Sequence, residues 1–222
     1  MHLNYWDITL LLVVAVQATL LAYVPRPRTK ALLLTLPFPF SAAYLALGEP
    51  VDATNMFGLA LLLLFMHGVR WLHVYGGWHI VVAIVGMALA YGLVGSAAAH
   101  VLPRQEWMFW TACAAVLGLG AVLLRLQPRR DEPPHRSPLP VAVKLPLVTL
   151  VVACLILAKH WLRGSMTVFP MVSLVAAYEA RHSLWTMSRQ VPVIMLTLGS
   201  MIIVIHLAQP HFGPYGACLL YT

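Results

Sequence analysis

The stretch MTVFPMVSLVAAYEARHSLW, residues 166–185, decides how the rest of the chain must be arranged. Residues 168–178 are apolar enough to enter a bilayer, yet Glu179, Arg181 and His182 follow before a helix has reached the far side. A helical span needs about 20 residues at a rise of about 1.5 Å each. The three polar side chains are therefore expected in or just below the headgroup boundary, where a charge needs an inward-facing partner or water.

Composition assigns the chain to the integral membrane proteins. Of its 222 residues, 61% are hydrophobic and 9% are charged, and the mean hydropathy is +0.83. Soluble domains carry about 25% charged residues. Long apolar runs recur along the chain, and this predicts an all-α polytopic membrane protein, since barrel strands would alternate apolar and polar residues. The net charge of +7 is assigned to orienting charges and anionic lipid, and nucleic-acid binding is not predicted.

Nine apolar runs are candidate transmembrane helices. They are residues 8–24, 31–47, 55–69, 80–101, 108–124, 145–158, 168–180, 192–207 and 212–222, the last short enough to be a half-span. The polar, proline-rich segment 127–140 is predicted to be an extended linker that buries nothing. It divides the chain into a first helical bundle, residues 1–126, and a second, residues 141–222.

A weak internal repeat relates the two sides of the linker. Lys30 aligns with Lys144, and in both halves a short apolar helix then runs into a His/Arg cluster followed by a tryptophan. This pattern predicts parallel four-helix repeats beginning at these lysines, 30–124 and 144–222, with an extra N-terminal helix at 8–24. Parallel repeats with interrupted spans are one known plan of secondary transporters.

The second half also resembles the GlpM-like small four-span bacterial inner-membrane proteins. The features that carry the resemblance are a lysine opening the first helix, a Phe-Pro in the second, and an aromatic residue followed by an acidic and a basic one: Lys144, Phe169-Pro170, Tyr178, Glu179 and Arg181. The resemblance implies a bacterial inner-membrane location and a helical architecture. It implies no defined biochemical activity.

Two polar clusters are candidate binding or coupling sites. Glu179 and His182 are three residues apart, which places them on one helical face where they can pair, and Arg181 points elsewhere, toward the headgroups. His67 and Arg70 have the same spacing in the first half. A carboxylate inside a bundle is a candidate for ion or proton coupling, whereas the alternative is an interfacial ion pair without function. The candidate site residues are Glu179, His182, Arg181, His67, Arg70 and Tyr178.

Three functional interpretations follow from these features. The preferred one is a transporter-like protein that moves a small solute or a lipid-linked group, coupled to protons through Glu179. The second is a non-catalytic accessory subunit that scaffolds a membrane enzyme or export complex, bound to other subunits or to its own copies. The third is a carrier of haem b, because ten histidines could supply axial pairs on adjacent helices. No catalytic motif or metal-ligand spacing is present, and no other cofactor is predicted.

The basic residues predict the orientation in the membrane. With the N-terminus outside, eleven lysines and arginines fall on the cytoplasmic side and three, Arg104, Lys159 and Arg163, fall outside. This is the positive-inside distribution, although the last two residues argue against it for the neighbouring spans. The linker should therefore be cytoplasmic.

A cysteine introduced by Ser137→Cys should not react with an impermeant thiol reagent in intact cells, and labelling there would reverse the predicted orientation.

Overall fold

A computed structural model describes residues 5–103, 105–128, 130–133, 135, 140–157 and 169–219, and these are helical apart from short connections. The helices are α1 (Tyr5–Tyr23), α2 (Pro27–Leu34), α3 (Phe38–Leu47), α4 (Ala53–Arg70), α5 (Ile80–Val101), α6 (Glu106–Leu126), α7 (Val141–Leu157), α8 (Met171–Glu179) and α9 (Leu184–Leu219). A π-helical turn, Trp71–Tyr75, extends α4. Six helical segments in this part of the chain are long and apolar enough to cross a membrane. The architecture is that of an α-helical multi-pass membrane protein.

The predicted span 31–47 is interrupted in its middle, between α2 and α3. Pro37 has no amide hydrogen, so the carbonyl of Leu33, four residues earlier, loses its regular helical donor. The Gln17 side chain of α1 supplies the shorter of two replacement hydrogen bonds: its Nε2 donates to the Leu33 oxygen at 2.6 Å, and the Leu36 amide donates to the same oxygen at 3.4 Å. The interruption is thus fixed by a polar side chain from a neighbouring helix.

The predicted span 168–180 is a short helix. Residue 168 lies outside the described residues, and α8 begins only after Phe169 and Pro170. Its nine residues cover about 14 Å, roughly half of a ~30 Å hydrocarbon core. The Phe169 ring lies edge-on against Tyr91, with ring centroids 5.2 Å apart, and Tyr91 is in the middle of α5. The N-terminus of α8 is therefore inside the bundle.

The two predicted C-terminal runs, 192–207 and 212–222, belong to the single element α9 as far as the structure describes them. The element bends at Gly213, where φ is 66° and ψ is 178°. This conformation is open to glycine and strongly disfavoured for other residues. After the bend the chain returns toward the start of α1, and the ring of Tyr215 lies 5.9 Å from that of Trp6.

Helices from both sides of the linker pack together. Helix α9 packs against α4 and α6, and α1 packs against α3, α7 and α8. Segments 1–126 and 141–222 are thus interleaved, and the linker does not separate two independently packed bundles. The predicted spans around Lys159 and Arg163 lie partly outside the described residues.

Close packing of α6 on α9 requires a small residue at Gly120. A Cβ atom there would lie 3.3 Å from the Met195 Cβ and 3.4 Å from the Pro192 carbonyl oxygen. A Cβ at Gly118, one half-turn away, would meet nothing within 4 Å. The two glycines are therefore a matched pair, one at a helix contact and one facing outward.

We expect Gly120→Leu to lower the free energy of unfolding by about 1–3 kcal/mol, because the added side chain overpacks the contact between α6 and α9. Gly118→Leu carries the same change in helix propensity and is the control. Thermal unfolding of both variants in the same detergent measures the difference. Equal shifts in the two midpoints would contradict the packing described above.

Candidate functional site

A buried ionic cluster lies where α2, α7 and α8 meet. The Nζ of Lys144 in α7 lies 2.6 Å from the Oε1 of Glu179, the last residue of α8. The Nζ of Lys30 in α2 donates to the main-chain oxygen of Glu179 at 3.2 Å. Lys30, Lys144 and Glu179 are only 2%, 3% and 2% exposed. Burial at this level removes the solvent screening that makes surface ion pairs weak.

Glu179 faces the interior of the bundle, as expected of a coupling residue, but its partner differs from the predicted one. The sequence predicted one candidate cluster around Glu179 and another at His67 and Arg70, whereas the Glu179 carboxylate pairs with Lys144, which belongs to neither. The Arg70 guanidinium instead lies 4.4 Å from the ring centroid of Trp185. The two predicted clusters are therefore separate sites at the same end of the bundle.

The predicted pairing of Glu179 with His182 on one helical face is wrong. Helix α8 ends at Glu179 and the chain turns directly after it, so the three-residue spacing no longer brings the two side chains together. His182 is exposed, and its ring centroid lies 4.9 Å from that of His135. Arg181 folds back onto Tyr178, where its Nη1 donates to the main-chain oxygen at 3.2 Å.

The linker covers this end of the bundle. We call its described residues 127, 128, 130–133 and 135 the strap. The carboxylate of Glu132 accepts hydrogen bonds from the main-chain amides of Trp185 at 3.2 Å and Thr186 at 2.7 Å. It thereby caps the first turn of α9 and lies at the positive end of the helix dipole. The linker was predicted to bury nothing, whereas Glu132 is half-buried in this position.

Two guanidinium groups lie over the Trp185 ring, and one of them belongs to the strap. Arg70 of α4 and Arg130 of the strap both lie over it, with guanidinium carbons 4.4 Å and 4.3 Å from the ring centroid. These are cation–π distances. The indole Nε1 of Trp185 donates to the main-chain oxygen of Pro128 at 3.0 Å. Trp185 is therefore the main anchor of the strap.

His135 connects the strap to the ionic cluster. Its main-chain amide donates to the oxygen of Pro25 at 3.1 Å, and its Nε2 is buried with no hydrogen-bond partner among the described residues. Burial, and then the positive charge of Arg181, lower the pKa of the His135 imidazole below its ordinary value. His182 and Lys30 act in the same direction, and Glu179 opposes them. The docked position of His135 therefore favours the neutral form of its imidazole.

The histidine rings inside the bundle already have partners. His67 contacts the Leu63 oxygen through Nδ1 and the Gln127 side chain through Nε2, each at 3.1 Å. His206 contacts the Val51 oxygen through Nδ1 and the Glu106 carboxylate through Nε2, also at 3.1 Å. Neither ring offers a free nitrogen to haem iron in this conformation. Within the described ranges no group of three or more His, Cys, Asp and Glu side chains is placed to hold a metal ion.

Sequence reasoning missed Lys30 and Lys144 as site residues and counted them as orienting charges. The available signal was their alignment in the internal repeat, since both aligned positions contact Glu179. In the structure Lys144 is four residues before the buried Val148 and eight before the buried Val152. This spacing puts the lysine on the inward face of α7.

Comparison of the chain with protein-family models, with curated proteins and with solved structures finds no match. The function is therefore inferred from the geometry of the site.

Acidification should loosen the strap. Because the pKa of His135 is lowered when the strap is docked, the docked state binds fewer protons than the undocked one. The docked state is fully stable above the ordinary histidine pKa of about 6.5 and loses stability as the pH falls through that value toward the lowered pKa. Hydrogen exchange of the strap amides, corrected for intrinsic rates, should be faster at pH 5.5 than at pH 8.

His135→Gln removes the titrating ring. The corrected exchange rates of the strap amides in this variant should therefore differ much less between pH 5.5 and pH 8. A variant with the full pH dependence of the wild type would assign the effect to another group.

Proposed function

We propose that the chain is a multi-pass membrane transporter-like protein, which moves a small solute or a lipid-linked group and couples this movement to protons through Glu179. The observation that carries the proposal is the buried ion pair of Glu179 with Lys144. An idle interfacial pair would face solvent or headgroups, whereas this pair joins two helices inside the bundle.

The ion pair provides a means of coupling. Protonation of Glu179 removes the negative charge that compensates Lys144, and a buried ammonium group without its partner costs several kcal/mol. The cost is relieved when Lys144 reaches water, loses its proton or meets another anion. Proton binding is thereby linked to separation of α7 from α8.

The helix interruptions favour transport over a purely structural role. Helix α8 begins inside the bundle, and α2 is separated from α3 at the same depth of the fold by Pro37. Discontinuous helices commonly line the substrate sites of secondary transporters. The proposal retains the parallel repeats, the GlpM-like character of the second half, and a bacterial inner-membrane location with the N-terminus outside. Convergence of Lys30 and Lys144 on Glu179 supports the repeat alignment.

A second candidate is the accessory subunit. Helices α5 and α6 are the least buried of the segments able to span a membrane, and Trp107 and Trp110 of α6 are exposed. Such apolar faces fit another membrane subunit as well as lipid.

The test is a set of three variants in proteoliposomes that contain a pH-sensitive dye. Glu179→Gln keeps the shape of the side chain, but it should abolish pH changes driven by added solutes, because the amide does not titrate. Glu179→Gln and Lys144→Met should each destabilise the protein by up to about 3 kcal/mol, since each removes one charge of a buried ion pair.

The double variant Glu179→Gln/Lys144→Met is the control that separates coupling from stability. It should recover part of the stability lost by the single variants, because both charges of the pair are gone while the buried Lys30 keeps its hydrogen bond to the main chain of residue 179, yet it should stay inactive. Solute-driven proton movement in Glu179→Gln would contradict the proposal. A stable wild-type protein that moves no protons, together with co-purification of a membrane partner, would favour the accessory subunit.

A further inference from the structure

A cavity of about 60 Å³ lies where the break between α2 and α3 meets the start of α8. Leu36 and Pro39 line it from the break between α2 and α3, and Phe169 and Pro170 line it from the start of α8. Gln17 lines it from α1. A buried water needs about 10–15 Å³ by the same kind of measure. The cavity therefore has room for a small polar group of about four non-hydrogen atoms.

Gln17, one of the residues that line this cavity, has an unused hydrogen-bond acceptor. The residue is 6% exposed, and its Nε2 is engaged with the Leu33 oxygen. Its Oε1 is buried and has no hydrogen-bond partner in the part of the chain that the structure describes. A buried acceptor without a donor is unfavourable, so this atom needs a hydrogen-bond donor, which a ligand group can supply.

The same residue also lines a much larger apolar groove on the outside of the bundle. The groove has a volume of about 690 Å³ and lies between α1, the broken α2–α3 element and the returning C-terminal segment. Gln17 and Leu36 line both the groove and the cavity. Along α1 the groove extends from Leu20 to Trp6, a distance of about 21 Å at the helical rise per residue.

The lining residues limit the chemistry of the ligand. No charged side chain lines the cavity or the groove among the residues described. A charged head group would therefore be desolvated there without compensation. The groove is open to the surface, and exposed side chains such as Leu12 and Val16 line it, which suits an extended hydrocarbon chain.

We propose that this site binds a single-chain amphiphile with a small, neutral, hydroxyl-type head. The head donates to the Gln17 Oε1 in the cavity, and the chain lies in the groove along α1. The inference rests on the proposed function and narrows it. The proposed function allows a small solute or a lipid-linked group as cargo, and this site selects the group that carries an apolar chain.

The binding test uses the wild-type chain in phosphatidylcholine nanodiscs, with empty nanodiscs as the reference for partitioning. The ligands are radiolabelled hexadecan-1-ol and its methyl ether, which has the same chain but no donor. The alcohol should bind about tenfold more tightly, as a hydrogen bond to an otherwise unpaired buried acceptor implies. Hexadecyl phosphate, with its charged head, should bind more weakly than the alcohol.

Gln17→Leu should remove the preference for the alcohol over the ether. Thr9→Val is the control, because Thr9 lines the same groove but its hydroxyl already donates to the Tyr5 oxygen at 3.2 Å. This variant should keep the preference. If Gln17→Leu does not fold, the comparison of alcohol with ether on the wild type decides alone.

Equal affinities for the alcohol and the ether in the wild type would contradict the proposed binding site and leave a groove filled by bilayer lipid. If the phosphate binds most tightly, the proposal of a neutral head group is wrong. The measurement needs no gradient and no transport. Selective binding without proton movement would therefore contradict the proposed function and leave this site intact.

Discussion

The ion pair between Lys144 and Glu179 is the interaction on which the rest of the structure depends. Two opposite charges in a medium of low dielectric constant attract strongly, but their separation from water is costly, so the pair persists only with close geometry. That geometry fixes the end of α8 against α7, and Lys30 adds α2 to the same point. Elements from both sides of the linker are thereby joined at one position, which accounts for the interleaving of the two halves.

Satisfaction of polar main-chain groups explains most of the other irregular features. In an apolar surrounding every exposed carbonyl and amide needs a partner. Pro37 leaves the Leu33 carbonyl without its helical donor, and Gln17 supplies one. The first turn of α9 has free amides, and Glu132 of the strap accepts from two of them. In both cases the partner side chain comes from another segment of the chain. Each irregular helix end is therefore also a tertiary contact.

The sequence predicted the membrane class and marked Glu179 as a candidate site residue, because these follow from composition and local chemistry. It could not predict the partner of Glu179. Helices such as α7 are apolar on all sides, so their sequence carries little information about which face points inward. Proline was equally ambiguous, since Pro37 separates two helices whereas α9 continues through Pro192. Whether a proline breaks a helix depends on whether neighbours can satisfy the carbonyl it leaves free.

Two short helices connect the ionic cluster with the cavity beside Gln17. Helix α8 starts at the cavity and ends at Glu179, and α2 carries Lys30 in its first turns and the Leu33 carbonyl near its end. Coupling between two sites requires an element whose position both sites influence. In the proposed mechanism α8 and α2 are these elements, because loss of the charge on Glu179 frees the end of α8 from α7 and removes the negative charge beside Lys30 of α2. Their other ends form the walls of the cavity, so a change in the ionic cluster reaches the ligand through helices of only nine and eight residues.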